Sequence, residues 1–354
     1  MRTFRFILLI MFFLVFGVAM PQNVRPIRDN VGFCWKPSEM NMLIKYLDSH
    51  FKNGTKFPSK NLVAAISPHD DYLYAASVYY PLYRLIKTKE VVIFGVTHGT
   101  VRKELGEFKN KIILDNFKQW RGPYSNVDVS FLREIIKKNL DTTDFILNDK
   151  AQTIEHSIEA LIPFLQYYNR NIKITPIMVT EMPFDTMKDI STKLAFIISN
   201  YIKQNNLKLG KDIFFLISSD ANHYGTDFNN SPFGEDENAH KDATMLDIKI
   251  ANSDLKGTLS ETTIYELTQD LWGKQNTSYH PPLWCGKFSI PFGLLTINKI
   301  IENTSNKNLE GIIFGYSDTW TEGVIPIKHT NLGLTAPFSL KHWVGHFSAG
   351  FYLK

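Results

Sequence analysis

Two short apolar runs, each ending abruptly in a histidine, constrain this chain more than any other feature. Leu62-Val63-Ala64-Ala65-Ile66 leads into Ser67-Pro68-His69-Asp70-Asp71, and Val91-Val92-Ile93-Phe94-Gly95-Val96 leads into Thr97-His98-Gly99. Continuous runs rich in Val and Ile, bounded by Pro and Gly, read as strands buried on both faces, as in a parallel sheet. Between them Val78, Leu82, Leu85 and Ile86 have helical spacing and predict a helix over 75–87. A strand, helix, strand unit crosses over right-handedly and brings both strand ends to one sheet edge. Open α/β sheets bind ligands at that edge, which makes His69 and His98 the first candidate functional residues.

The design recurs. An apolar strand over 212–217 ends in Ser218-Ser219-Asp220-Ala221-Asn222-His223. One polar ending is commonplace, but three that carry His, His, and Asp with His are less easily coincidence. The fold class expected is therefore α/β, a mainly parallel central sheet flanked by helices, as a single domain over 24–354. Further helices are expected over 39–51 (with Ser38 as N-cap), 131–140, 184–201, 239–252, 261–272 and 291–301. The segment 108–149 reads as a connecting excursion, and 172–179, with Pro176 inside it, as an edge or irregular strand. Strands are expected over 311–319 and 341–354, the latter closing the sheet.

Ile154, Ile158, Leu161 and Leu165 predict one amphipathic helix over 153–165, interrupted near Pro163. Glu155 and Glu159 would then be like-charged neighbours with His156 beside both, a polar patch turned either toward a site or toward solvent. Tyr279-His280-Pro281-Pro282-Leu283-Trp284-Cys285-Gly286 forms a turn before the apolar helix at 291. Cys285, near a helix start, is expected to have a lowered thiol pKa and to serve as ligand or nucleophile.

Arg2 and Arg5 precede an uncharged apolar run over 6–20, with Gly17 and Ala19 near its end. That is the form of an export signal over 1–20, and it is short for a spanning helix, so export outranks an uncleaved anchor. Without those two arginines the balance is 37 basic to 35 acidic residues, net +2. Such a balance implies neither nucleic acid nor an anionic membrane surface as partner, and leaves a small-molecule substrate or a metal. The two cysteines, Cys34 and Cys285, leave one disulfide open as an alternative in an oxidising compartment.

Imidazole, carboxylate and thiolate side chains on sheet-edge loops suit a transition metal. Open His and carboxylate positions favour iron, and a thiolate shifts preference toward zinc or copper. His69 and His98 are the ligand candidates, Asp220 a ligand or orienting carboxylate, and His223 a general acid or base titrating near neutrality. His240, His280, His329, His342 and His346 show no partner spacing, although His280 lies near Cys285. There is no glycine-rich phosphate loop and no G-x-S-x-G elbow, so a hydrolase built on Ser218 or Ser219 lacks its usual setting.

The ordered series Ser67-Pro68-His69-Asp70-Asp71-Tyr72, Val96-Thr97-His98, Glu155-His156-Ser157-Ile158-Glu159, Ser218-Ser219-Asp220 with His223, and Cys285-Gly286 resembles the Memo family, whose prokaryotic members are called AmmeMemoRadiSam system protein B. The similarity runs from Gly32-Phe33-Cys34-Trp35 to Phe347-Ser348-Ala349-Gly350. It implies a fold like that of class III extradiol dioxygenases and a redox activity on iron or, second, copper; zinc stays open only from the thiolate in the donor set. The implied metal site is His69, His98 and Cys285, with Asp220 and His223 as catalytic partners; Asp70, Asp71, Glu155, His156 and Glu159 are expected around them from their own places in the sequence. A non-haem metal-dependent oxidoreductase is the activity implied, with a non-catalytic metal- or ligand-binding protein and a metal-assisted hydrolase as alternatives. The chain departs from the family where His-Ala-Gly-Tyr is replaced by His69-Asp70-Asp71-Tyr72, where Gly99 stands for a second histidine, and where Lys287-Phe288-Ser289 follows the Cys-Gly pair.

Overall fold

In the computed structural model, which describes residues 23–51, 56–273 and 277–354, the apolar runs become the centre of one mixed sheet. The segment 1–20, expected as an export signal, lies outside the described residues. The elements that position the site are β1 (Leu62–Ser67), α1 (Tyr72–Tyr83), β2 (Glu90–Val96), β3 (Lys173–Val179), β4 (Ile213–Ser218), α2 (Ser289–Thr304), β5 (Leu309–Asp318) and β6 (Trp343–Leu353). Their order across the sheet is β3, β2, β4, β1, β6, β5. Neighbours among the first four pair in parallel, whereas β6 pairs antiparallel with both β1 and β5.

Both faces of the parallel centre are buried, which is why its strands read as unbroken apolar runs. Alternate residues of β4 serve opposite layers. Ile213, Phe215 and Ile217 pack under α2 and the helix Phe184–Gln204, while Phe214 and Leu216 face α1 and the helix Pro37–His50. The fold is thus α/β, with a large central sheet flanked by helices. Among the described residues no helix is long and apolar enough to cross a membrane.

Several expectations need correction. α1 starts at Tyr72, not residue 75, because the Asp71 carbonyl accepts from the Tyr74 and Ala75 N–H groups directly after the histidine turn. The first helix is preceded by Lys36 in extended conformation without a side-chain cap, so Ser38 lies within it. β3 is an interior strand, not an edge. On its far side Val127–Val129 pairs with Lys173 and Ile174, and Ile112–Leu114 pairs with Met178 and Val179. Pro176 falls between those two short partners, where its missing N–H costs no ladder bond. The excursion over 108–149 therefore supplies strands to the sheet, and β6 lies inside it instead of closing it.

The largest difference is at 153–165, which is not one helix. A helix ends at Ile154, Glu155 is extended, a 3-10 turn spans Glu159–Leu161, and a second helix runs Ile162–Tyr168. The physical reason is the Glu155 carboxylate, which accepts from the backbone N–H of His156 (2.8 Å) and Ser157 (2.9 Å). A side chain that collects local N–H groups competes directly with the helix ladder. The turn sits against β2 at Gly95, where an added Cβ would lie 2.4 Å from the Ile158 side chain.

Candidate metal centre

His69 follows β1, His98 follows β2, and Asp220 follows β4, so the parallel register delivers all three to one edge of the sheet. Cys285 arrives from the turn before α2. The His69 and His98 rings stand 5.1 Å apart between centroids, and the ligand atoms of His69, His98 and Cys285 all lie within 4.8 Å of one another. Two further groups meet the same criterion, His98 with Glu155 and His156, and Asp220 with His223 and Cys285.

Hydrogen bonding fixes which nitrogen of each ring is free. The Ser218 hydroxyl donates its one proton to the Ser157 carbonyl (2.7 Å), so it accepts from Nδ1–H of His69 (2.7 Å). His69 Nε2 is left as a lone pair, facing Cys285 Sγ at 3.4 Å and Asp220 Oδ2 at 3.3 Å. Burial first, and then His98 and His156, hold the His69 imidazole well below its ordinary pKa, so it is neutral. His98 donates from Nδ1 to Glu155 Oε1 (2.8 Å), and its backbone N–H donates to Glu155 Oε2 (2.8 Å). Burial lowers the His98 imidazole but Glu155 raises it above its ordinary pKa on balance, so a cation would displace its Nε2 proton while Glu155 orients the ring, as carboxylates commonly do for metal-binding histidines.

Burial alone would raise the Glu155 carboxyl, but the charge and side-chain hydrogen bond of His98, the charge of His156 and the His98 backbone N–H hold it well below the usual carboxylate range. A group depressed in the fold contributes stability that is fully present above its unfolded value, 4.5 here, and lost as pH falls through the folded one. Glu155→Gln is therefore expected to weaken metal binding roughly 10- to 100-fold by disturbing His98. It should also flatten the acid limb of a stability profile below about pH 4.5. Metal titration and chemical denaturation from pH 7 to 3 read these, and a variant indistinguishable from the parent in both would remove Glu155 from its orienting role.

Asp220 accepts the His69 backbone N–H at 2.9 Å, and burial, then Asp70, push its carboxyl up to about 7. Its own N–H donates to Cys285 Sγ at 3.1 Å. The helix after Cys285 begins four residues later, at Ser289, and burial pushes the thiol up, contrary to the lowering expected from a helix start. Burial, then His98, brings His223 down to about 4, so it stands neutral at pH 7 and does not titrate near neutrality as expected. His156 falls to about 4 for the same two reasons, its ring stacked 4.7 Å from that of His98. Cys34 and Cys285 are both free.

Two expected neighbours are turned elsewhere. The Glu159 carboxylate pairs with buried Arg25 and accepts the Arg28 and Asp29 N–H groups, so it is a structural anchor outside the cluster. Asp71 accepts from the Thr335 N–H (2.6 Å) and hydroxyl (3.0 Å), which ties the histidine turn to a distant loop. Asp70 remains at the site. It accepts from Nε2 of His346 at 2.8 Å, and His346 is fully buried. That histidine showed no partner spacing in the sequence, because its partner lies 276 residues away on another strand. A cleft of about 470 Å³ is lined in part by His69, Asp70 and His156. A larger cavity of about 810 Å³, lined by Phe57, Tyr80, Phe314 and Tyr316, contains none of the cluster residues.

This ordered set of side chains matches what the comparison with known families finds: the sequence pattern of the Memo-like proteins covers residues 31–304. The chain belongs to the Memo-like protein family. Among its relatives, the MEMO1 family protein of Pyrococcus horikoshii is 29% identical over 251 residues, 66% of this chain and 79% of that protein. The one from Desulfurococcus amylolyticus is 27% identical over 227 residues, 60% of this chain and 70% of that protein. The one from Aquifex aeolicus is 29% identical over 163 residues, 46% and 54% of the two chains. This Memo-like chain thus carries His, Cys and acidic clusters that can hold a metal ion.

Proposed function

We propose that this protein is a metal-dependent oxidoreductase acting on a small molecule that enters the cleft over His69, with iron as the first candidate metal and copper the second. His69, His98 and Cys285 would hold the ion. The observation that carries the reading is the free Nε2 of His69, which faces a thiol sulfur and a carboxylate oxygen. An imidazole nitrogen, a thiol sulfur and a carboxyl oxygen converging at one point, backed by the Ser218 and Glu155 hydrogen bonds, form a donor set that a cation would occupy with release of the thiol proton.

A redox metal there would supply electron transfer to or from a bound substrate. The chain's own residues do the rest. Glu155 and Ser218 hold the two imidazoles in the tautomers that present Nε2. Neutral His223, beside Asp220 and Cys285, can accept a proton from a bound hydroxyl or thiol. The Asp70–His346 pair places a second proton-exchanging couple at the cleft wall. Elemental analysis of the purified protein, followed by oxygen uptake with iron(II) and a panel of small aromatics, tests the reading. Stoichiometric metal with substrate-dependent uptake supports it. Metal without uptake leaves a binding protein, and no metal at all overturns it.

A further inference from the structure

Asp247, on the helix Glu237–Asp254, is a fully buried carboxylate that sequence reading did not single out and that touches none of the candidate ligands. Its oxygens accept from three separate elements. Oδ1 takes the indole N–H of Trp284 at 2.7 Å. Oδ2 takes the Tyr316 hydroxyl at 2.8 Å and the backbone N–H of Asn222 at 3.3 Å. Trp284 immediately precedes Cys285, and Asn222 immediately precedes His223.

The two loops are also bonded to each other. Asn222 and Trp284 form an isolated antiparallel bridge, the His223 N–H donates to the Leu283 carbonyl (3.1 Å), and the Leu283 N–H donates to the Asn222 side chain (3.0 Å). Gly345 makes room for the arrangement, since a Cβ there would lie 2.5 Å from the Tyr316 hydroxyl and 3.0 Å from Asp247 Oδ2. Buried donors need partners, and an acceptor shared by three elements fixes their relative positions.

We infer that Asp247 is the positioning residue that clamps the Asn222–His223 loop and the Trp284–Cys285 turn together, and so sets where the Cys285 sulfur stands relative to His69. The inference rests on the metal reading above only for its metal arm. Its second arm needs no metal, because a clamped turn also limits access to the Cys285 thiol.

The test uses the full chain and the variants Asp247→Asn, Trp284→Phe and Tyr316→Phe. Glu90→Gln serves as a control, a buried carboxylate at the start of β2 that accepts from the Tyr201 hydroxyl. Titration with Co(II) alone reads affinity and the sulfur-to-cobalt charge-transfer band. Iodoacetamide labelling of the metal-free protein, followed by peptide mapping, reads the rate at Cys285 against buried Cys34. Trp284→Phe, Tyr316→Phe and Asp247→Asn are expected to weaken Co(II) binding about tenfold or more with a diminished thiolate band. They should also speed Cys285 labelling about tenfold, while Glu90→Gln changes neither. If Asp247→Asn does not fold, the two aromatic variants decide. A parent that takes up no Co(II) ends the metal reading and leaves the labelling arm to judge the clamp. Folded variants that label at the parental rate overturn the clamp whatever the metal does.

Discussion

The His69→Ala, His98→Ala double variant is expected to purify without metal and to bind iron(II) more than 100-fold more weakly than the parent. Outer-shell substitutions alone cost roughly 10- to 100-fold in metal affinity, and this variant removes two of three candidate donors. Cys285 would be left with Asp220 and His223, whose ligand atoms also cluster, so residual weak binding is the expected remainder. His69 is fully buried and its loss leaves a void, whereas His98 keeps 21% of its side chain exposed. The single His98→Ala variant therefore separates lost coordination from lost folding. Circular dichroism and elemental analysis of both variants decide the matter. A folded double variant as metal-rich as the parent would exclude this cluster as the metal site.

The second large effect is expected at Glu159→Ala, far from chemistry in role though close in sequence. The Glu159 carboxylate and the Arg25 guanidinium are each almost fully buried and paired. Arg25 also donates to the carbonyls of Gln152 (3.0 Å) and Glu155 (2.6 Å), and stacks over the Trp120 ring at 4.4 Å. Removing one partner of a buried pair leaves an uncompensated charge and costs about 3–5 kcal/mol. Against a folding free energy of about 5–15 kcal/mol, that is a large share. Urea denaturation at pH 7 measures it, and a loss under about 1 kcal/mol would place the pair among weak surface contacts. Since Arg25 grips the carbonyl of Glu155, the same variant should loosen the backbone that carries the His98 partner.

That these side chains cluster is largely legible in the sequence. His69 and His98 stood out because each ends a run that can only be a doubly buried strand, and parallel strands share an edge. Asp220 and His223 followed by the same rule. What could not be read was direction. Glu155 and Glu159 look equivalent on a helix, but there is no helix, since Glu155 gathers N–H groups from His156, Ser157 and His98 and breaks it. The two glutamates then face opposite duties, one orienting a histidine and the other pinning Arg25.

His346 and Asp247 carry the complementary lesson. Neither has a local signal, because their partners lie on elements distant in sequence, Asp70 for one and Trp284, Tyr316 and Asn222 for the other. pKa direction also escaped the sequence. Proximity to a helix start suggested a lowered thiol at Cys285 and an ordinary imidazole at His223, but burial dominates both.

Hydrophobic periodicity by itself determined that this chain builds an α/β layer with histidines on one rim, because strand burial and crossover handedness act locally and repeat. Only the tertiary structure decided which ring nitrogen is free, which carboxylate orients and which one anchors. Those outcomes depend on where single protons and lone pairs find partners, and the partners come from strands that meet only when the sheet has formed.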